Sequence, residues 1–139
     1  MNLDVVCAEC GHAMVRDAAP GQTLAKPDKA KLEGTITKSL GVLQEDGVYA
    51  FFLFQAYFRL RSENRISNQN VSDIIAIRAA QLLRHDGVAL LRARGSGEQD
   101  DFPALRDLCN QLDELLLTRQ ILEQSLIYAR YHAKPITVA

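Results

Sequence analysis

The sequence predicts an all-α fold, a single helical bundle of about five helices with a long C-terminal helix and an irregular N-terminal arm. Three observations carry that expectation. Apolar residues recur at spacings of three and four over several long stretches, glycine follows two of those stretches where a helix must stop, and no segment reads clearly as a strand. The chain has 139 residues, 47% apolar and 24% charged, with 8 glycines and 4 prolines, which is the size and composition of one ordinary folded domain.

Residues 1–26 are read as the arm, because Cys7-Ala-Glu-Cys10 is followed by a Pro20-Gly21 turn before any helical pattern begins. The bundle domain is then residues 27–139. Its first helix starts at Pro27-Asp28 and carries Leu32, Ile36, Leu40 and Leu43 on one face, is weakened at Gly34, and ends at Gly47, a residue free to take positive φ. The second runs from Val48 to Leu60; 11 of those 13 residues are apolar, so it is expected at the centre of the bundle with neighbours all round. A polar turn, "SENRISNQN", separates it from a third helix that Asn70 or Ser72 caps and that buries Ile74, Ile75, Ile77, Leu82 and Leu83. Gly87 is expected to stop this helix as Gly47 stops the first; the shared "DGV" after each is read as recurrent capping and not as duplication. Residues 88–94 suit helix or strand and are assigned to helix, and "RGSGEQDD" is a loop. The last helix spans Phe102 to Lys134, about 50 Å at ~1.5 Å per residue, with Leu105, Leu108, Leu112, Leu115, Leu122 and Leu126 in its seam. Arg119 interrupts that seam and is expected to snorkel or to pair with an acid such as Glu114 or Glu123 one turn away, a protein contact on that face being the alternative.

The net charge of −1 gives no overall pull toward polyanions, so any such partner must be held by a local patch. Charge is nevertheless uneven along the chain. Seven arginines against three acids give +4 between Arg59 and Arg94, and seven acids against two arginines give −5 between Glu98 and Glu123. Arginine in turns suits bidentate contact with phosphate, which makes Arg59, Arg61, Arg65, Arg92 and Arg94 the candidate RNA-binding residues. Solvated faces with internal ion pairs are the plainer alternative.

Chemistry has little support. Cys7 and Cys10 form half of a tetrahedral zinc site, but no second pair follows, and His12 is too close in sequence to complete an ordinary knuckle. A redox pair would want a strand before it and a helix after it. The expectation is no cofactor, with zinc at Cys7 and Cys10 as the alternative. His12, His85 and His132 have no nucleophile brought to them by spacing, the acidic pairs Asp100-Asp101 and Asp113-Glu114 suit helix starts, and no phosphate-loop, dinucleotide or zinc-protease motif occurs, so no enzyme is expected. Three cysteines without a disulfide-like pattern suggest a reducing, cytoplasmic setting, and the apolar run from Val48 falls short of the ~20 residues that span a bilayer.

The run Leu43-Gln44-Glu45-Asp46-Gly47-Val48 followed by "YAFFLF", together with the closing "TRQILEQSLIYARYHAK", resembles the small helical subunit of type III-B CRISPR (Cmr) effector complexes over residues 28–134. In that likeness Arg119 stands at the family's arginine, Leu126 at its leucine, Tyr131 where a tryptophan is usual and Lys134 near the basic end. The resemblance implies a non-catalytic subunit that stacks in copies along guide and target RNA and helps hold the other subunits of the complex together, and the short apolar run adds the expectation of no membrane partner. A zinc-linked helical adaptor is the competing reading.

Overall fold

The computed structural model describes residues 2–139, and the all-α expectation holds. The helices are α1 (Leu3–Ala18), α2 (Lys26–Asp46), α3 (Val48–Phe58), α4 (Val71–Arg84), α5 (Phe102–Cys109) and α6 (Leu112–Ala133). Four two-residue strands, β1 (Thr23–Leu24), β2 (Arg65–Ile66), β3 (Gln69–Asn70) and β4 (Thr137–Val138), serve as ties: β1 pairs parallel with β4, and β2 antiparallel with β3. Five helices close a ring in the order α1, α6, α2, α3, α4, and α5 braces α3 and α6 from outside.

The N-terminal segment corrects the reading of residues 1–26 as an irregular arm. Cys7, Cys10, Gly11, Met14, Val15 and Ala18 are buried, a three-and-four spacing that turns one face of α1 into the core. Asn2 starts the helix by accepting from the Asp4 N–H at 2.9 Å. Gly11 lets α1 and α6 approach, since a Cβ there would lie 2.6 Å from the Ala129 nitrogen and the Ser125 carbonyl oxygen. The linker that follows is tied down by the β1–β4 pairing and by Lys29, whose Nζ donates to the carbonyls of Lys134 and Ile136 at 2.9 Å and so caps the end of α6.

The expected centre also moves. α3 turns only Val48, Phe51, Phe52 and Gln55 fully inward and leaves Leu53 49%, Tyr57 62% and, just beyond it, Leu60 86% exposed. The most extensive helix packing is that of α6 on α1 and α2, where Ala129, Ala133, Ser125 and Thr118 let the neighbours come close. The expected single helix over residues 102–134 bends at Asn110-Gln111, where Gln111 takes an extended backbone (φ −122°, ψ 93°). The bend lets α5 pack on α3 while α6 packs on α1 and α2, and it leaves Leu112 and Leu116 outside the core.

Gly47 has positive φ (95°), as expected, and its N–H caps the Leu43 carbonyl. Gly87 does not share that conformation. α4 ends at Arg84, and the reversal uses Ala89 (φ 49°), whose N–H and that of Val88 both reach the His85 carbonyl at 2.8 Å. Residues 88–94 are neither helix nor strand; Leu91 is buried and its N–H donates to Leu83, so the segment is a strap laid across the end of α4. No helix among the described residues is long and apolar enough to cross a membrane.

Candidate nucleic-acid interface

The five candidate arginines fall into two groups with different surroundings. Arg92 and Arg94 lie in the strap after α4 and are held by acids of the same chain. The Arg92 guanidinium donates to Asp107 at 2.7 Å and to both oxygens of Glu98 at 2.8 and 2.9 Å. Arg94 donates to Asp101 at 3.0 Å, and Arg84 donates to the same oxygen at 2.7 Å. The bidentate pair with Arg92, helped by the Gly95 N–H, holds the Glu98 carboxyl down at about 2 and raises the Arg92 guanidinium. Burial alone would raise Asp101, but Arg94 and Arg84 together keep it below its usual range. The basic and acidic runs of the sequence therefore meet and largely cancel here.

Arg59, Arg61 and Arg65 surround the exposed C-terminal end of α3 and are less engaged. Arg59 approaches Asp73 only to 3.9 Å with its side chain 54% exposed. Arg61 lies 3.4 Å from Glu63 and places its guanidinium carbon 5.0 Å from the Tyr57 ring centroid. Arg65 donates weakly to the Asn68 carbonyl at 3.4 Å and has no carboxylate partner among the described residues. One buried side chain organises this end. Asn70 caps α4 by accepting from the Asp73 N–H at 3.2 Å, while its Nδ2 donates to the carbonyls of Phe58 at 2.9 Å and Arg61 at 3.0 Å. The turn bearing Arg59 and Arg61 is thus fastened to the start of α4.

Lysines on α2 join this group, which a count confined to residues 59–94 misses. The Lys31 ammonium donates to the Arg65 carbonyl at 3.3 Å, and Lys38 has no partner among the described residues. Together with Phe54 and Phe58 of α3 they line a groove between the two helices. The sequence signal was present in the seven-residue spacing of Lys31 and Lys38, which sets both on one face two turns apart. Beneath the groove a polar chain crosses the bundle. Thr35 donates to Asn64, Asn64 to Ser72, and Gln55 to Ser39, leaving the fully buried Gln55 Oε1 without a partner among the described residues.

The Cys-x-x-Cys motif is helical, so both thiols point to the core. Cys7 faces the Ile121 carbonyl at 3.6 Å and Cys10 the Arg78 carbonyl at 3.7 Å. Burial raises Cys7 and pushes Cys10 up to about 12, which keeps both as thiols in the folded chain at neutral pH. No group of three or more potential metal ligands forms among the described residues. His12 stacks on His132 with centroids 4.8 Å apart, and burial followed by that neighbour lowers His132. His85 stands beyond α4, accepting from the Gly87 N–H. Arg119 is corrected as well: it reaches across to the Gln44 carbonyl at the end of α2 instead of pairing along its own helix.

No protein-family model, characterised protein or solved structure matches this chain.

Proposed function

We propose that this chain is a non-catalytic, RNA-associated small subunit of a type III CRISPR ribonucleoprotein, supporting assembly along guide and target RNA in the cytoplasm. The observation that carries the reading is the cluster at the end of α3. Arg59, Arg61 and Arg65 lie there with weak or absent acid partners, Arg61 over the exposed Tyr57 ring, and Lys31 and Lys38 line the adjoining groove. Cations interleaved with aromatic faces suit a polyanion with accessible bases. The helical resemblance over residues 28–134 supplies the class of assembly. Arg92 and Arg94 contribute less to RNA contact in this reading, because displacing Glu98, Asp107 and Asp101 would cost what a phosphate returned. An exposed strip of Leu112, Leu116 and Leu117 beside Asp113 and Glu114 is assigned to a neighbouring subunit.

The test is fluorescence anisotropy of labelled single-stranded RNA with wild type, Arg61→Glu/Arg65→Glu and Arg92→Glu/Arg94→Glu, repeated over a salt series. The first double variant is expected to lose at least about tenfold in affinity and to flatten the salt slope by roughly two, one per phosphate contact. Unchanged affinity and slope in that variant would remove the RNA assignment.

A further inference from the structure

We propose that the groove between α2 and α3 receives one unpaired nucleobase of single-stranded RNA, an inference that rests on the RNA-associated reading above. The groove has a volume of about 470 Å³, in the range of small-ligand sites. One wall is aromatic: the half-buried Phe54 and Phe58 rings lie 4.8 Å apart at 47°, and Phe58 adjoins the arginine-bearing turn. The opposite wall is α2, with Lys31 and Lys38 on either side of Gly34 and neither lysine paired to a carboxylate among the described residues. Asn64 stands at the polar end. Its Oδ1 accepts from Thr35 at 3.1 Å and its Nδ2 donates to Ser72 at 2.9 Å, which holds the amide in place and leaves one N–H and one lone pair for an incoming edge.

Gly34 gives the groove its room. Glycine inside a helix costs stability relative to alanine, and the usual structural reasons for it are absent here. Its φ is not positive, and nothing lies within 4 Å of where its Cβ would stand. Gly41, two turns on, is open in the same way but does not line the groove. The pair is therefore a built-in comparison between glycines that differ in facing the proposed ligand.

The occupant follows from the chemistry of the walls. A π-face, one amide edge and two flanking cations match a base with its neighbouring phosphates, and only an unpaired base can leave its stack to enter. The Glu63 carboxylate, which also lines the groove and lies 3.4 Å from Arg61, can accept from a base's exocyclic amino group. Duplex RNA would meet the outer arginines and lysines but not the groove.

The experiment compares wild type, Gly34→Leu, Gly41→Leu and Phe58→Ala against single-stranded RNA and against duplex RNA of the same length, by anisotropy, with 2-aminopurine placed in the single strand as a stacking probe. Gly34→Leu and Phe58→Ala are expected to weaken single-strand binding roughly 5- to 150-fold, the range of one lost base–aromatic stack, and to abolish the 2-aminopurine signal. Duplex binding should stay within about twofold, and Gly41→Leu should bind as wild type. If Gly34→Leu does not fold, Gly34→Ala and the probe signal decide the same question. Wild-type single-strand affinity and probe signal in the Gly34 and Phe58 variants would overturn the groove while leaving the Arg61 and Arg65 result intact. Equal weakening of duplex and single strand would overturn it too. Absence of any RNA binding by wild type would overturn both readings.

Discussion

Replacing Asn70 by alanine should destabilise the protein by about 1.5–5 kcal/mol, and the sum can be worked from its three hydrogen bonds. Losing the side-chain cap on α4 costs about 0.5–2 kcal/mol. The two carbonyls that Nδ2 serves, those of Phe58 and Arg61, lose roughly 0.5–1.5 kcal/mol each, because the site is 7% exposed and water enters poorly. With a urea m-value of about 2 kcal/mol/M the midpoint should fall by roughly 0.8–2.5 M, read by circular dichroism. Asn70→Asp separates the two halves of the role. It keeps the oxygen that caps α4, yet turns an oxygen toward two carbonyls that need a donor. It should be at least as destabilised as Asn70→Ala at neutral pH, with partial recovery as the carboxyl protonates and regains one donor. A loss below about 0.5 kcal/mol in the alanine variant, or a wild-type midpoint in the aspartate variant, would refute the claim that Asn70 fastens the arginine turn to α4.

Gly11→Ala should lower the thermal midpoint sharply, at or above the ~1–3 kcal/mol usual for overpacking, because the added carbon meets backbone of α6 and not a movable side chain. An unchanged melt would mean that α1 and α6 do not cross there. In the native protein at pH 8 a thiol reagent should modify the half-buried Cys109 first and reach Cys7 and Cys10 only on unfolding, since those two are buried in the core while Cys109 is not, and burial, which raises all three thiols, leaves Cys10 essentially without thiolate at that pH. A single rate for all three thiols would refute the buried placement.

Periodicity located the cores of most helices, although Ile77, expected to be buried on α4, is 49% exposed. Leu32, Ile36, Leu40 and Leu43 are all buried, and Asn70 caps α4 as its position suggested. Most misreadings share a cause, which is that a conspicuous local feature outweighed the pattern around it; the single helix expected over residues 102–134 is the exception, because the leucine periodicity runs on through the bend at Asn110-Gln111. The three-and-four spacing of Cys7, Cys10, Gly11, Met14, Val15 and Ala18 was present in the sequence, but a Cys-x-x-Cys invites a metal reading and hid a core face. The apolar density of α3 suggested a central helix, yet hydrophobicity does not say which helix has the small residues that let neighbours close in; α6 has them. Gly87 shows the limit of reading caps by residue type, since Ala89 took the positive φ instead.

The interface shows why net charge along a sequence is a poor map of charge in space. The richest arginine run ends in Arg92 and Arg94, and both are consumed by acids within 15 positions, because the strap folds back over the start of α5. The cations left without strong partners come from three separate places: two lysines from the middle of α2, and arginines from the turn after α3 and from β2. They meet because α2 and α3 form a hairpin at Gly47 and because Asn70 pulls the end of that hairpin onto α4. A polyanion site here therefore depends on the fold more than on composition. On the proposed RNA reading, weakening the Asn70 anchor should lower single-stranded RNA affinity measured by anisotropy although Asn70 itself is buried, which ties stability and the proposed binding to one side chain.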